Sequence, residues 1–287
     1  MNDSPSPAPP SQLARRQPES HKGDYGRVLL VGGSRGMAGA ISLSAISALK
    51  VGSGLVTLAV PDRCLETAAA FNPCLMTHPL SDTPAGTFAE PATEELEALA
   101  RKFDAFGVGP GMGTGPGAIR LTRWALESGR PMVLDADALN ALAEIRAWRS
   151  LLRGPAVLTP HPGEWQRICG ESPKDRAAQR RAAVEVAAAS GAVVLLKGAQ
   201  TFVTDGSREY TNATGNPGMA SGGAGDVLTG VVASLLGQGL SPFEAASLGA
   251  WIHGTAGDLA AEELGMAGVT AVDIAAALPA AVELATE

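Results

Sequence analysis

Residues 27–33, RVLLVGG, form a short apolar run that stops at a pair of glycines. A strand buried on both faces of a parallel sheet has this pattern, because its side chains do not alternate between apolar and polar. Similar runs recur along the chain, and each ends in a loop that carries Gly, Asp, His or Lys. These further candidate strands cover residues 56–60, 103–108, 132–134, 156–158 and 193–196.

Alanine-rich stretches separate the candidate strands and are typical of helices. They include a stretch that ends near Leu49, followed by residues 94–102, 118–128 and 175–190. Strands that alternate with helices predict a doubly wound α/β sheet, mostly parallel, whose ligands bind at the carboxyl ends of the strands. After Lys197 the pattern changes, and residues 201–211 predict a β-hairpin with a turn at Asp205-Gly206.

The glycine loop, residues 215–230 (GNPGMASGGAGDVLTG), carries most of the functional information. Six of these sixteen residues are glycine, and the apolar segment 227–236 that follows predicts a buried helix. Gly222, Gly223, Ala224 and Gly225 would then lie at the start of that helix, where free N–H groups and the helix dipole favour an anion such as phosphate. Asp226 is either a helix-capping residue or a base that activates a hydroxyl for attack on a phosphoryl group.

Composition excludes several classes of protein. The 287 residues include 45% hydrophobic and 18% charged residues with a net charge of −7, and they contain no dense Lys/Arg cluster, so we expect no nucleic-acid partner. No apolar run reaches the roughly eighteen residues of a membrane-spanning helix. Three scattered cysteines and an N-terminus without an apolar core indicate a cytoplasmic protein without disulfides. We expect residues 1–21 to be a disordered Pro/Ser-rich tail and residues 22–287 to be one domain.

Several strand-end residues are candidates for ligand binding, each with a plainer alternative. Lys197 is either a phosphate ligand or a solvated lysine at a strand end. His161 would hydrogen-bond a substrate, and Glu164 would orient a water bound to Mg²⁺, or both would simply belong to a turn that begins a helix. Asp135 and Asp137 either face the site or cap a helix. His253 fits a packed core histidine better than a catalyst.

Two nucleotide-binding motifs are poor matches. The glycines that follow residue 31 have the spacing G-x-x-G-x-x-G, which differs from the dinucleotide fingerprint G-x-G-x-x-G, so a redox Rossmann domain is disfavoured. The phosphate-binding motif G-x-x-x-x-G-K-[ST] does not occur. We still expect the segment Gly32-Gly33-Ser34-Arg35-Gly36 to contact part of some ligand.

Taken together, the motifs resemble those of the ADP-dependent NAD(P)H-hydrate dehydratases. The similarity runs from about residue 22 to the C-terminus. It rests on the glycine loop and on KGDYG (22–26), GVGPG (107–111), VLDADALN (133–140), LTPHPGE (158–164) and Lys197-Gly198. The resemblance implies a ribokinase-like, three-layer α/β/α sandwich. Many members of the family carry an additional N-terminal epimerase domain; only about twenty residues precede the similarity here, so we expect a free-standing dehydratase.

The resemblance also implies a reaction. NADHX and NADPHX are hydrates with a hydroxyl on C6 of the nicotinamide ring, and the family converts the S form back to NADH or NADPH. The hydroxyl attacks the terminal phosphoryl group of ADP and leaves as phosphate, so that AMP is the other product. ADP is thus a co-substrate, with Mg²⁺ as the implied metal ion and a homotetramer as the implied assembly.

Carried onto this sequence, the family's site residues fall into three sets. The hydrate contacts are Ala40, Gly111, His161 and Asp226, with Asp226 as the base. The adenine-nucleotide contacts are Lys197, Gly198, Ala199, Gln200, Thr201 and Gly225. His161-x-x-Glu164 takes the place of the metal-associated Asn-x-x-Glu of wider relatives, and the resemblance implies a metal contact of Glu164 through a water.

Two other functions compete with a dehydratase. A vitamin-precursor kinase of the same fold would share the Gly-x-Gly-Asp sequence at 223–226 but not the GNPGMASGG that precedes it. A non-catalytic nucleotide-binding protein would have no need of Asp226.

Overall fold

The computed structural model describes residues 7–169 and 175–286, and its framework is one nine-stranded sheet. The strands follow the order β3-β2-β1-β4-β5-β6-β7-β8-β9. All neighbours from β3 to β7 are parallel, whereas β8 and β9 join antiparallel. In chain order the strands are Arg27–Val31, Leu55–Pro61, Met76–Leu80, Ala105–Val108, Met132–Leu134, Ala156–Leu158, Val193–Leu196, Phe202–Thr204 and Glu209–Thr211.

Helices cover both faces of the sheet. Numbered α1 to α11 in chain order, they are Ala38–Val51, Leu65–Ala69, Ala92–Ala100, Pro116–Glu127, Asp137–Glu144, Trp148–Leu151, Pro162–Cys169, Arg176–Ser190, Ala224–Gly237, Pro242–Leu264 and Ala271–Glu283. Side chains alternate along β1: Val28 and Leu30 pack with α1, α9, α10 and α11, whereas Leu29 and Val31 pack with α3 to α8. This is the predicted three-layer α/β/α sandwich, and the fold class is confirmed.

The six strands and the hairpin predicted from the sequence all occur, with bounds that differ by no more than one or two residues at most strand ends. The exception is β3, Met76–Leu80, which the sequence analysis did not predict. This strand lies at the edge of the sheet and contains His78 and Pro79. An edge strand tolerates proline and polar side chains because one of its sides needs no partner, and it therefore lacks an apolar pattern.

Part of the N-terminal segment, for which we expect a disordered tail, contacts the domain at a few points. Residues 1–6 lie outside the described residues, and residues 7–20 are irregular and mostly exposed, with one isolated bridge at Leu13. Leu13 is buried and its N–H donates to the carbonyl of Ala285 at 2.8 Å, while the Trp251 indole donates to the carbonyl of Pro7 at 2.8 Å. Composition alone misses such a segment, because two or three anchoring contacts hold it rather than a hydrophobic face.

Among the described residues, no helix is long and apolar enough to cross a membrane. The described elements from β1 onward all belong to or pack against the single sheet, so we infer that residues 22–287 form one domain.

Candidate active site

The direction of strand addition reverses between β1 and β4, where an open α/β sheet leaves a crevice at the carboxyl ends of its strands. The loops after these two strands are joined there. The Gly33 N–H donates to the carbonyl of Pro110 and the Ser34 hydroxyl donates to that of Gly111, both at 2.8 Å. Gly111 has φ +66°, and a Cβ on it would lie 3.1 Å from the Cβ of Ala40. Two of the implied hydrate contacts are therefore neighbours at the crevice.

Helix α1 links these residues to Asp226. The Ser44 hydroxyl donates to the carbonyl of Asp226 at 2.7 Å, and Ala40 lies one helical turn before Ser44 on the same side of α1. Helix α9 approaches so closely here that a Cβ on Gly230 would collide with the carbonyl of Ser44. Asp226 is thereby fixed on the side of the crevice that holds Ala40 and Gly111.

The glycine loop enters α9 earlier than predicted, at Ala224 rather than Val227. Gly223 is the N-cap residue, in the left-handed region with φ +92°. Val227 donates the first helical hydrogen bond, to the carbonyl of Gly223 at 3.1 Å. The N–H groups of Gly225 and Asp226 therefore belong to the first turn, where a helix offers them no partner of its own. This part of α9 is suited to bind an anion.

Lys197, at the end of β7, lies against this helix start. Its Nζ is 2.6 Å from Asp135 Oδ1, and Asp135 Oδ2 accepts a hydrogen bond from the Thr229 hydroxyl at 2.7 Å. A Cβ on Gly225 would lie only 3.3 Å from the lysine Nζ. Burial lowers the pKa of Lys197, but Asp135 and Glu164 outweigh burial and raise it, so the lysine keeps its charge. The charged lysine, paired with Asp135, and the N–H groups of the helix start thus lie side by side.

His161 and Glu164 begin α7, which follows β6. Glu164 Oε2 accepts the His161 N–H at 2.8 Å and lies 3.9 Å from Lys197 Nζ. The carboxyl is 5% exposed, and this burial raises its pKa to about 7 although Lys197 opposes the shift. The His161 ring is half exposed, and partial burial together with Lys197 lowers its pKa. Glu164 therefore caps α7 and at the same time faces Lys197.

Asp226 has the electrostatic properties of a general base. Burial raises its pKa to about 6, and the nearby charges of Asp135 and Asp137 act in the same direction while Lys197 opposes them. A carboxylate in water has a pKa near 4, so Asp226 holds its proton more strongly than usual. It accepts protons more readily near neutral pH for the same reason.

The implied nucleotide contacts 197–201 form a tight turn between β7 and β8, with Gly198, Ala199 and Gln200 exposed. Gly198 has φ +136° and Gln200 has φ +55°. The Arg176 guanidinium, from the start of α8, donates to two carbonyls of this segment and to the carbonyl of the residue before it. These are the carbonyls of Leu196 at 3.1 Å, Lys197 at 3.3 Å and Gln200 at 3.3 Å.

The remaining candidates, Asp135, Asp137 and His253, have different surroundings in the structure. Asp135 faces the site through Lys197, whereas Asp137 Oδ2 accepts the Gly113 N–H at 2.8 Å and so holds the loop after β4. His253 is a half-buried residue of α10, and its buried Nε2 has no hydrogen-bond partner among the described residues. Burial lowers the pKa of His253 to about 4, so it is neutral.

Sequence reasoning missed Thr229 and Arg176. Thr229 lies one helical turn after Gly225, and only the knowledge that α9 begins at residue 224 gives that position meaning. Arg176 follows the undescribed residues 170–174 and carries no motif. Its role depends on α8 lying beside β7, which the sequence does not reveal.

Comparison with known proteins agrees with this geometry. The NAD(P)H-hydrate dehydratase family matches residues 28–280. A bifunctional NAD(P)H-hydrate repair enzyme of Moorella thermoacetica is 46% identical over 273 residues, which are 94% of this chain and 51% of that protein. An ADP-dependent (S)-NAD(P)H-hydrate dehydratase of Neisseria meningitidis is 41% identical over 277 residues, which are 93% of this chain and 88% of that protein. The chain thus spans about half the length of the bifunctional relatives it matches.

Solved structures also include an NAD(P)H-hydrate dehydratase that is similar to this chain. The ADP/ATP-dependent NAD(P)H-hydrate dehydratase of Bacillus subtilis, crystallised with ATP and Mg²⁺, superposes with a TM-score of 0.81 and 28% identity, covering 95% of this chain and 94% of that one. A hydroxyethylthiazole kinase of Pyrococcus horikoshii shares the fold with a TM-score of 0.60 at 20% identity. From its sequence and its fold together, the chain belongs to the NAD(P)H-hydrate dehydratase family.

Proposed function

We propose that this protein uses ADP to dehydrate the S form of NADHX or NADPHX, giving NADH or NADPH, AMP and phosphate. The observation that carries the proposal is the placement of Asp226. Its carboxyl is in the first turn of α9, beside Lys197 and on the side of the crevice that holds Ala40 and Gly111. A base that lies between an anion site and a ring-binding crevice is what a hydroxyl-to-phosphoryl transfer requires.

In the proposed reaction Asp226 takes the proton from the C6 hydroxyl while the hydroxyl oxygen attacks the β-phosphorus of ADP. AMP leaves, and the new bond makes the C6 oxygen part of a phosphate ester. The ring nitrogen then donates its electron pair, the C6–O bond breaks, and phosphate departs. Loss of a C5 proton restores the dihydropyridine ring.

The residues of the site have separate tasks in this scheme. Lys197 and the N–H groups of Gly225 and Asp226 would hold the phosphoryl oxygens, with Gly222, Gly223 and Ala224 shaping the approach. Gly198, Ala199, Gln200 and Thr201 would contact the rest of the adenine nucleotide. Ala40, Gly111 and His161 would hold the hydrate.

A Mg²⁺ ion fits this site only in part. No group of three His, Cys, Asp or Glu side chains in the described part of the chain lies close enough to bind a metal ion. The Glu164 carboxyl already accepts the His161 N–H, which leaves it suited to a water-mediated contact. When bound, Mg²⁺ would neutralise phosphate charge, and Glu164 would orient one of its waters.

Mixing the protein with NADHX and ADP tests the proposed reaction. We expect recovery of the near-ultraviolet absorbance of NADH with equal amounts of AMP and phosphate, and incorporation of ¹⁸O from a labelled C6 hydroxyl into phosphate. No recovery with either ADP or ATP would refute the proposal. Phosphorylation of a hydroxyethylthiazole or hydroxymethylpyrimidine alcohol by ATP in the same preparation would favour the kinase instead.

The same proposal includes a cytoplasmic homotetramer. Leu264, Met266 and Val272 are exposed apolar side chains near the C-terminal end of α10, and they are compatible with an interface between subunits. Light scattering of the purified protein measures the assembly directly.

A further inference from the structure

Helix α10 has two glycines on the face that packs against the start of the glycine loop. A Cβ on Gly254 would collide with Thr214, and a Cβ on Gly257, three residues later, would collide with the Met219 side chain. Residues three and four apart share one face of a helix. The two glycines therefore form a groove in α10 in which residues 214–219 lie in close contact with the helix.

Asp258 follows this groove and holds the loop by its backbone. Its Oδ2 accepts the Gly215 N–H at 2.8 Å, and its Oδ1 accepts the Asn216 side-chain N–H at 2.9 Å. The same Asn216 amide nitrogen donates to the carbonyl of Gly257 at 2.9 Å, while its oxygen accepts the Gly218 N–H at 2.9 Å. Hydrogen bonds to a charged carboxylate are stronger than those between neutral groups. Asp258 and Asn216 thus form a clamp on residues 215–218.

The far end of the loop is more open. Gly222 is exposed, and a Cβ on it would meet nothing within 4 Å. Residues 220–222 lie between the 3₁₀ turn Pro217–Met219 and α9, and with Gly223 they join the clamp to the anion-binding N–H groups along the chain. The direction in which the loop enters α9 therefore depends on where the clamp places it.

We propose that Asp258 is a positioning residue for phosphoryl transfer. Through Gly215 and Asn216 it fixes the glycine loop, so that the N–H groups of Gly225 and Asp226 and the Asp226 carboxyl keep one arrangement around the transferred phosphate. This inference rests on the proposed function, because it assumes that the start of α9 binds the phosphate. Asp258 itself contacts neither substrate in this scheme.

The test compares Asp258→Ala and Asp258→Asn with Glu262→Gln. Glu262 is an exposed carboxylate one turn further along α10, so its substitution is a matched control. Each variant is assayed for kcat and for KM of ADP. Hydrogen–deuterium exchange of residues 213–223 is measured in parallel on the protein without substrates, and on its complex with AMP.

We expect Asp258→Ala to lower kcat by roughly 10- to 100-fold, because small misplacements of reacting groups cost that much. KM for ADP should change by only a few-fold, since Lys197 and residues 198–201 are untouched. Exchange at 213–223 should rise. Asp258→Asn keeps an oxygen that accepts the Gly215 N–H and should recover part of kcat, while Glu262→Gln should match the wild type.

Normal kcat in Asp258→Ala, or normal exchange at 213–223, would overturn the proposal. Should Asp258→Ala fold poorly, folded Asp258→Asn decides: partial loss of kcat with faster exchange supports the clamp, and wild-type values of both refute it. If the wild type shows no dehydratase activity, the proposed function fails. The clamp is then judged by whether AMP slows exchange at 213–223 in the wild type but not in Asp258→Ala.

Discussion

Two irregular segments enclose the candidate site, and they are supported in different ways. One side chain, Arg176, donates to two carbonyls of the nucleotide turn, residues 197–201, and to the carbonyl of Leu196 just before it. The glycine loop has its contacts spread along α10, where Thr214, Gly215 and Asn216 each bond to the helix. The nucleotide turn therefore depends on the single cation Arg176, whereas the glycine loop depends on the groove in α10 together with the carboxylate of Asp258.

The difference follows from what each backbone must present to a ligand. The guanidinium occupies carbonyls of the turn, so that the N–H groups of residues such as Gly198 and Ala199 are left for an anionic nucleotide. Asp258 occupies an N–H at the start of the glycine loop, whereas the N–H groups at its far end stay free at the start of α9. We therefore expect damage to the turn to act on ADP binding and damage to the loop to act on the chemical step.

The largest effect is expected for Asp226→Asn. The amide has nearly the shape of the carboxyl but accepts no proton, so kcat should fall by roughly 10²- to 10⁴-fold. The affinity for ADP, measured by calorimetry, should stay the same or increase, because a negative charge beside the phosphates is removed. Unchanged turnover would remove Asp226 from the mechanism and with it the contrast between the two segments.

Arg176→Gln should act mainly on the nucleotide turn. Loss of hydrogen bonds from a charged donor to three carbonyls should raise KM for ADP on the order of tenfold, with kcat nearly constant. Arg181→Gln is the control, since Arg181 is exposed and belongs to the same helix. An effect of Arg176→Gln on kcat alone would contradict the division of tasks between the two segments.

The pH dependence of the rate distinguishes an effect on the chemical step, through Asp226, from an effect on ADP binding, through Lys197. Asp226 acts as a base only when ionised, and its pKa is raised to about 6. The rate should therefore fall tenfold per pH unit below about pH 6, and at a somewhat higher pH when bound phosphates add negative charge. Lys197, whose pKa is raised, stays charged over this range, so ADP binding should change little. A rate that declines only near pH 4 would show that Asp226 is not the base.

Gly230→Ala should have the smallest effect, on stability rather than on a chemical step. The added methyl group would collide with the carbonyl of Ser44 and push α9 from α1, which costs about 1–3 kcal/mol in a packed interior. Gly39→Ala in α1 is the matched control, because a Cβ there meets nothing within 4 Å. Thermal unfolding compares the two variants, and equal melting temperatures would show that the α1–α9 contact is not tight.

Much of the site was predictable because it consists of local signals. Apolar runs that end at Gly, Asp, His or Lys mark strands and the edge where their loops meet, and the glycine loop marks an anion site with Asp226 beside it. The contacts that residues 7–20 make with the domain were not predicted, since sparse anchors such as Leu13 leave no periodic pattern. The edge strand β3 was not predicted for a related reason, because half of its surface needs no apolar residue.

The sequence by itself determined the α/β class, the order of the strands along the chain and the residue types that carry the chemistry, because these depend on periodicity and on short motifs. Only the tertiary structure decided that Asp135 pairs with Lys197, that Arg176 supports the nucleotide turn and that Asp258 holds the glycine loop. Each of these contacts joins residues between 20 and 62 positions apart. Such pairs leave no local pattern, since their proximity arises from packing of helices and strands into one sandwich.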